Sequence, residues 1–316
     1  MADLSYPPPP EALVVPVYDN HTHLDHKPYR PSPRPEADSP RPEADSPRPE
    51  ALEGHPEELT PQDQLDRASS VGVRGVVQVG TDLESSAWGA GLAAREPRVL
   101  AAVAIHPNDT PHLEDPDAAF AEIDRLAGLP RVRAIGETGL DHFRTGEQGR
   151  AAQVRAFEAH IEIAKRHDLA LQIHDRDAHA EVLETLDRVG APERTVFHCF
   201  SGDADLARLI ADRGWYLSFA GTITFKNAPG LRDALAAIPR SRILVETDAP
   251  FLTPMPYRGR PNSPYLIPWT VRAMGDHLGT DASMLAAQIA SNTEAVYGSW
   301  DTDLVATPSG PFADLA

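Results

Sequence analysis

The 316-residue chain has one cysteine, Cys199, and so no internal disulfide. That usage fits a reducing compartment. Long apolar runs are also missing. The longest, Val99 to Ile105, covers seven residues, where a membrane-spanning helix needs about 20. The start, Met1-Ala2-Asp3-Leu4 followed by prolines at 7–10, has neither the basic nor the apolar part of a signal peptide. Together these absences predict a cytoplasmic protein that makes no use of a membrane. Basic residues are scarce: 29 Lys and Arg against 47 Asp and Glu give a net charge of −18. Such a balance argues against the basic surface of a DNA- or RNA-binding module.

What is present suffices for a large core. Hydrophobic residues make up 41%, and the 21 glycines bring the apolar set to about 48%, the ordinary globular range. Proline is unevenly spread, with 14 of the 31 in the first 58 residues. A heptad, Ser32 to Asp38, is repeated from Ser39 to Asp45 and begun again at Ser46. Prolines at every second or third place remove amide donors and bar helix and ladder alike, so residues 28–58 read as an extended, disordered insertion. Residues 1–12 read as a disordered N-terminus, 13–300 as a single domain and 301–316 as a loose tail.

Eight short apolar runs are strand candidates: Val14–Tyr18, Gly75–Val79, Val99–Ile105, Val132–Ile135, Ala170–Ile173, Thr195–Phe197, Trp215–Phe219 and Ile243–Val245. Amphipathic stretches such as 61–70, 81–95, 117–126, 147–166 and 203–213 lie between them. Thr60-Pro61 and Thr81-Asp82-Leu83-Glu84 spell helix starts. Segments 264–275 and 281–297 read as closing helices. Continuously apolar strands separated by helices predict a parallel sheet covered on both faces, and eight units match an α/β (β/α)8 TIM barrel. A doubly wound open sheet is the fallback, weakened because no Gly-rich phosphate fingerprint follows the first strand.

The strand ends carry the chemistry. The first runs into His21-Thr22-His23, whose imidazoles at i and i+2 point the same way on an extended segment. The fourth ends in Gly136-Glu137, the fifth in His174-Asp175-Arg176, the sixth in His198-Cys199 and the eighth in Glu246-Thr247-Asp248. In a barrel all these ends converge on one face. Four imidazoles and two carboxylates exceed what one tetrahedral ion requires, so two divalent cations are the economical assignment, with Glu137 bridging.

These motifs, in this order, resemble the TatD-type metal-dependent deoxyribonucleases of the amidohydrolase superfamily. The resemblance runs from Tyr18 to Gly298 and includes Ile105-His106-Pro107, Arg258-Gly259-Arg260-Pro261-Asn262-Ser263-Pro264 and Asn292-Thr293-Glu294-Ala295. It implies that His21, His23 and Asp248 hold one metal, His174 and His198 the other, and that Glu137 bridges. The departures are the insertion and His142, which stands where a tyrosine is common.

The resemblance implies phosphodiester hydrolysis in DNA, as a 3'-5' exodeoxyribonuclease acting on single strands. A water between two cations, Mg, Mn or Zn, would be acidified and the growing charge neutralised. Glu137 and Asp248 are the candidate catalytic residues, with Asp248 taking the proton of the water. Arg176 is a candidate phosphate clamp or the partner of Asp175 or Asp177, and His106 a phosphate contact or a structural hydrogen bond. Asn20, Asp25 and Glu246 suit the orienting of imidazoles, and Cys199 is set in the barrel wall. The alternatives are another ester such as D-aminoacyl-tRNA, or an inactive barrel acting as a binding protein. Segments 31–58 and 301–316 carry −5 and −3, which leaves −10 on the body. DNA is therefore expected as a weakly held substrate, gripped at one phosphodiester.

Overall fold

The computed structural model describes residues 5–25 and 58–300. The proline-rich insertion at 28–58, but for Glu58, and the tail at 301–316 lie outside the described residues.

Eight parallel strands follow one another around a single sheet in chain order. They are β1 (Val17–Thr22), β2 (Val73–Val79), β3 (Val99–Val103), β4 (Val132–Asp141), β5 (Ala170–Arg176), β6 (Thr195–Phe197), β7 (Tyr216–Phe219) and β8 (Ile243–Val245). Helices α1 (Pro61–Ser70), α2 (Leu83–Arg95), α3 (Pro116–Ala127), α4 (Glu147–Arg166), α5 (His179–Val189), α6 (Ala204–Asp212) and α7 (Pro229–Ala236) alternate with them, and α8 (Ile267–Leu278) and α9 (Ala282–Tyr297) close the chain. The sheet is nearly closed into a TIM barrel. At the seam Asp248 N–H donates to His21 O at 3.0 Å and His23 N–H to Ala249 O at 2.9 Å. Asn20 Nδ2 also crosses the seam to Val245 O at 2.7 Å.

Alternate residues of each strand enter two separate cores, as a closed pleated sheet requires. Val76, Val99, Ile135, Leu171, Phe197 and Val245 pack against the helices. Val77, Leu100, Ala134, Ala170, Val196 and Leu244 fill the interior with Tyr297 and Trp300. Trp300 stacks on Tyr18 at 4.2 Å and so helps fill the barrel interior.

The structure shifts several expected boundaries. β1 begins at Val17, past Pro16, whose missing N–H would interrupt a ladder, and it continues through His21. β4 and β5 run on to Asp141 and Arg176, so Glu137 and His174 sit on strands. That pairing is close: a Cβ at Gly139, where φ is +138°, would meet His174 O at 2.1 Å. α2 starts at Leu83, capped by Asp82 accepting from Ser85 N–H at 2.7 Å, one residue later than the Thr81 spelling suggests. Residues 5–12, expected to be disordered, lie extended along the body. Their carbonyls accept from Arg260 and Arg272, and Pro7 O from the buried Tyr265 hydroxyl. Prolines leave few donors in this segment to satisfy, so such one-sided bonding suits it.

Below the site, His160 of α4 joins the ends of β3 and β4. Its Nε2 accepts from Ile105 N–H at 3.4 Å, and Nδ1 pairs with Thr138 Oγ1 at 2.9 Å. Burial lowers its pKa to about 4. The folded state therefore resists protonation that the unfolded chain accepts below about 6.5, and stability drains as pH falls toward 4. Between pH 7 and pH 5, metal-free wild-type protein should lose about 2 kcal/mol more than His160→Gln in urea unfolding. Parallel profiles for the two would contradict this.

Candidate metal centre

All six predicted ligands meet at the C-terminal mouth of the barrel, around Glu137. This carboxylate has two occupied faces. Its Oε2 lies 3.6 Å from His21 Nε2 and 3.8 Å from His23 Nε2. Its Oε1 lies 2.6 Å from His174 Nδ1, 3.0 Å from His198 Nε2 and 3.3 Å from His106 Nε2. Asp248 adds Oδ1 to the first group, 3.5 Å from His23 Nε2 and 3.8 Å from His21 Nε2.

These spacings fit shared cations. Ligand bonds of about 2.1 Å at tetrahedral angles put ligand atoms about 3.4 Å apart. His21 Nε2 is buried and has no hydrogen-bond partner, a state that costs free energy unless the atom coordinates something. Among the described residues, three overlapping sets of ligand atoms come within 4.8 Å of one another: His21, His23 and Glu137; His21, His198 and Glu246; and His106, Glu137 and His174.

The outer ring of hydrogen bonds selects which nitrogen each imidazole presents. His21 Nδ1 pairs with Gln172 Oε1 at 3.0 Å, His23 Nδ1 with Val79 O at 2.8 Å and His198 Nδ1 with Glu246 Oε1 at 3.2 Å. With Nδ1–H donated outward, each of the three rings, when neutral, presents its Nε2 lone pair inward. His174 is turned the other way: Nε2 pairs with Asp141 Oδ2 at 3.2 Å, leaving Nδ1 toward Glu137. His106 differs from the four. Its Nδ1 accepts from Asn108 N–H at 3.1 Å, so a neutral ring carries its proton on Nε2 and donates rather than ligates. The third set of ligand atoms is therefore chemically weaker than its spacing suggests.

Electrostatics follow from that packing. Burial opposes ionisation of Glu137, but the facing imidazoles of His198, His106 and His174 outweigh it and hold the carboxyl well below its usual range. Asp248 is lowered too, chiefly by His23 and His198 against the effect of burial. Conversely, Glu137 and Glu246 overcome burial and raise His198 well above its ordinary value. The pocket is thus built to hold positive charge. Burial, with Asp248 and Glu246 nearby, pushes the Cys199 thiol far up and so favours its protonated form.

The chain belongs to the TatD-related DNase family. The family model described as "TatD related DNase" matches residues 18–298. A Mycobacterium tuberculosis protein named "Uncharacterized metal-dependent hydrolase TatD" is 44% identical over 243 residues, 76% of this chain and 91% of its own. A Salmonella typhimurium relative named "3'-5' ssDNA/RNA exonuclease TatD" is 32% identical over 244 residues, 74% of this chain and 92% of its own. The crystal structure of the Escherichia coli TatD homologue YJJV superposes with a TM-score of 0.71 at 27% identity, covering 75% of this chain and 92% of that one. The protein is a TatD-type metal-dependent hydrolase.

Some residues of this TatD site escaped the sequence reading. Gln172 holds His21, and its Nε2 donates to Asn20 O at 2.7 Å and Tyr297 Oη at 2.8 Å. Asp141 orients His174 and is itself fixed by Phe143 N–H and Arg144 N–H at 3.0 and 2.8 Å. The available signal was a polar residue at an interior position of an apolar strand, Leu171-Gln172-Ile173. Of the residues expected to orient imidazoles, Glu246 contacts His198, whereas Asn20 is linked to His21 through Gln172 and Asp25 accepts from Gln78 at 2.8 Å. Arg176 stacks its guanidinium over the Phe143 ring, 4.1 Å from the centroid.

Replacing Gln172 with Leu strips His21 Nδ1 of its acceptor. Isothermal titration with Mn²⁺ or Zn²⁺ should then show binding weakened about 10- to 100-fold at one class of site, with the fold retained. Unchanged affinity would contradict the tautomer argument.

Proposed function

We propose that this chain is a 3'-5' exodeoxyribonuclease that hydrolyses single-stranded DNA with two divalent cations, Mg, Mn or Zn. The observation that carries the reading is the two-faced setting of Glu137, with ligand nitrogens at both of its oxygens. His21, His23 and Asp248 would hold one cation, His174 and His198 the other, and Glu137 would belong to both. The name of the Salmonella relative supports the polarity and the single-stranded substrate. When bound, divalent cations supply Lewis acidity to phosphate oxygens and acidify water at neutral pH.

The protein's own groups do the rest. Asp248 is the more exposed of the two central carboxylates, 14% against 7% for Glu137, and it accepts the proton of the attacking water. The water oxygen attacks phosphorus, the bond from phosphorus to O3' of the remaining strand breaks, that O3' takes a proton from solvent, and the released nucleotide keeps its 5'-phosphate. His106, with its proton on Nε2, donates to a phosphate oxygen. Arg176 places positive charge at the rim beside that phosphate. DNA is held weakly along its length because the body is acidic.

Single-stranded DNA labelled separately at each end, incubated with Mg²⁺ or Mn²⁺, should release its 3' label first as mononucleotide. Glu137→Gln and Asp248→Asn should each reduce that turnover at least about 100-fold without unfolding. Label released first from the 5' end, or turnover retained in either variant, would contradict the reading.

A further inference from the structure

Among the described residues, five large apolar side chains are conspicuously exposed: Val14, Phe143, Leu209, Phe251 and Met284. The two phenylalanines stand at the mouth, one beyond each side of Glu137. Phe143 lies in the loop that Asp141 anchors, its N–H donating to Asp141 Oδ1 at 3.0 Å, and Asp141 is 3.2 Å from His174 on the Oε1 side. Phe251 follows Asp248 and stands edge-on to His23, ring centroids 6.4 Å apart, on the Oε2 side. Their exposures are 53% and 52%.

Phe143 is held at its ring and Phe251 at its backbone. Arg176 lies over Phe143 at 4.1 Å. Phe251 N–H donates to Asp248 O at 2.9 Å, and Asn262 Nδ2 donates to the carbonyls of both Thr247 and Phe251. An apolar ring fixed half in water next to a charged site gains free energy when a flat partner covers it. A phosphodiester held by cations on the two faces of Glu137 would have a ring on either side, since Phe143 lies on the Oε1 side and Phe251 on the Oε2 side.

We propose that Phe143 and Phe251 are stacking platforms for the two unpaired nucleobases that flank the scissile phosphodiester. The inference rests on the nuclease reading above and adds how the substrate is held. Every base has a π-face, so the platforms select unpaired over paired bases and are indifferent to base identity. They also supply contact area that an acidic body cannot draw from phosphates.

The test uses the full chain loaded with Mg²⁺ and two labelled, cleavage-resistant phosphorothioate chains of six units, one of thymidylate and one abasic. Fluorescence anisotropy should give thymidylate roughly 100-fold tighter binding than the abasic chain in the wild type, about tenfold per ring. Phe143→Ala and Phe251→Ala should each reduce that ratio about tenfold, the double variant should bring it near one, and Phe143→Tyr should keep it. A wild-type ratio near one, or an unchanged ratio in the double variant, would overturn the proposal. Parallel incubation with cleavable oligothymidylate separates the two readings. Wild-type cleavage with an unchanged ratio in the double variant sinks the platforms alone, and absence of cleavage sinks the nuclease reading while the binding ratios still decide the stacking.

Discussion

The structure depends on keeping a buried carboxylate ionised. Glu137 is buried, and taking a charge out of water costs several kcal/mol unless opposite charge compensates it. Compensation comes from both sides: His23 at Oε2, its pKa raised by Asp248 and Glu137, and His198, His106 and His174 at Oε1. Removing either group would leave an uncompensated charge in the barrel mouth. The same demand explains the outer ring, since each imidazole must present a defined nitrogen, and Gln172, Val79 O, Glu246 and Asp141 fix which. A site so constructed favours cations, and its two faces are what the proposed sharing of one carboxylate by two cations rests on.

The barrel serves that arrangement. Strands β1, β4 and β5 and the segments just after β6 and β8 each deliver one part of the cluster, and in-order parallel pairing brings these five chain segments to one mouth. The seam between β1 and β8 is made by bonds that involve the ligands' own backbone: Asp248 N–H to His21 O, and His23 N–H to Ala249 O. The bonds that close the barrel therefore also position the backbone of the first ligand group. Thr247, which donates its hydroxyl to the buried Asp19, ties the same joint from the outside.

Much of this was legible in the sequence for a physical reason. Buried parallel strands must be continuously apolar, so His21, Glu137, His174, His198 and Asp248 stood out where the runs ended. Helix starts were visible at Thr60-Pro61, though at Asp82 the cap fell one residue from its expected place. What stayed hidden depends on pairing across the barrel. Gln172 becomes a partner of His21 only once β5 faces β1 in the interior, and Phe143 and Phe251 become a pair only when the loops after β4 and β8 flank one mouth. Residues 5–12 looked unstructured because prolines bar regular elements, yet their carbonyls bind Arg260, Tyr265 and Arg272, the Ser5 hydroxyl accepts from Arg260, and Tyr6 packs against the core.

The overall acidity of the chain and its reading as a nuclease are compatible because the charge that matters is local. A centre that gathers positive charge at one point can hold a single phosphate while the rest of the surface repels long duplexes. The central claim is that Glu137 is shared by two cations, and anomalous diffraction from crystals grown with Mn²⁺ tests it most directly. The account predicts two anomalous peaks, one on the His21, His23 and Asp248 side of Glu137 and one on the His174 and His198 side. A single peak, or peaks that leave Glu137 unligated, would contradict it.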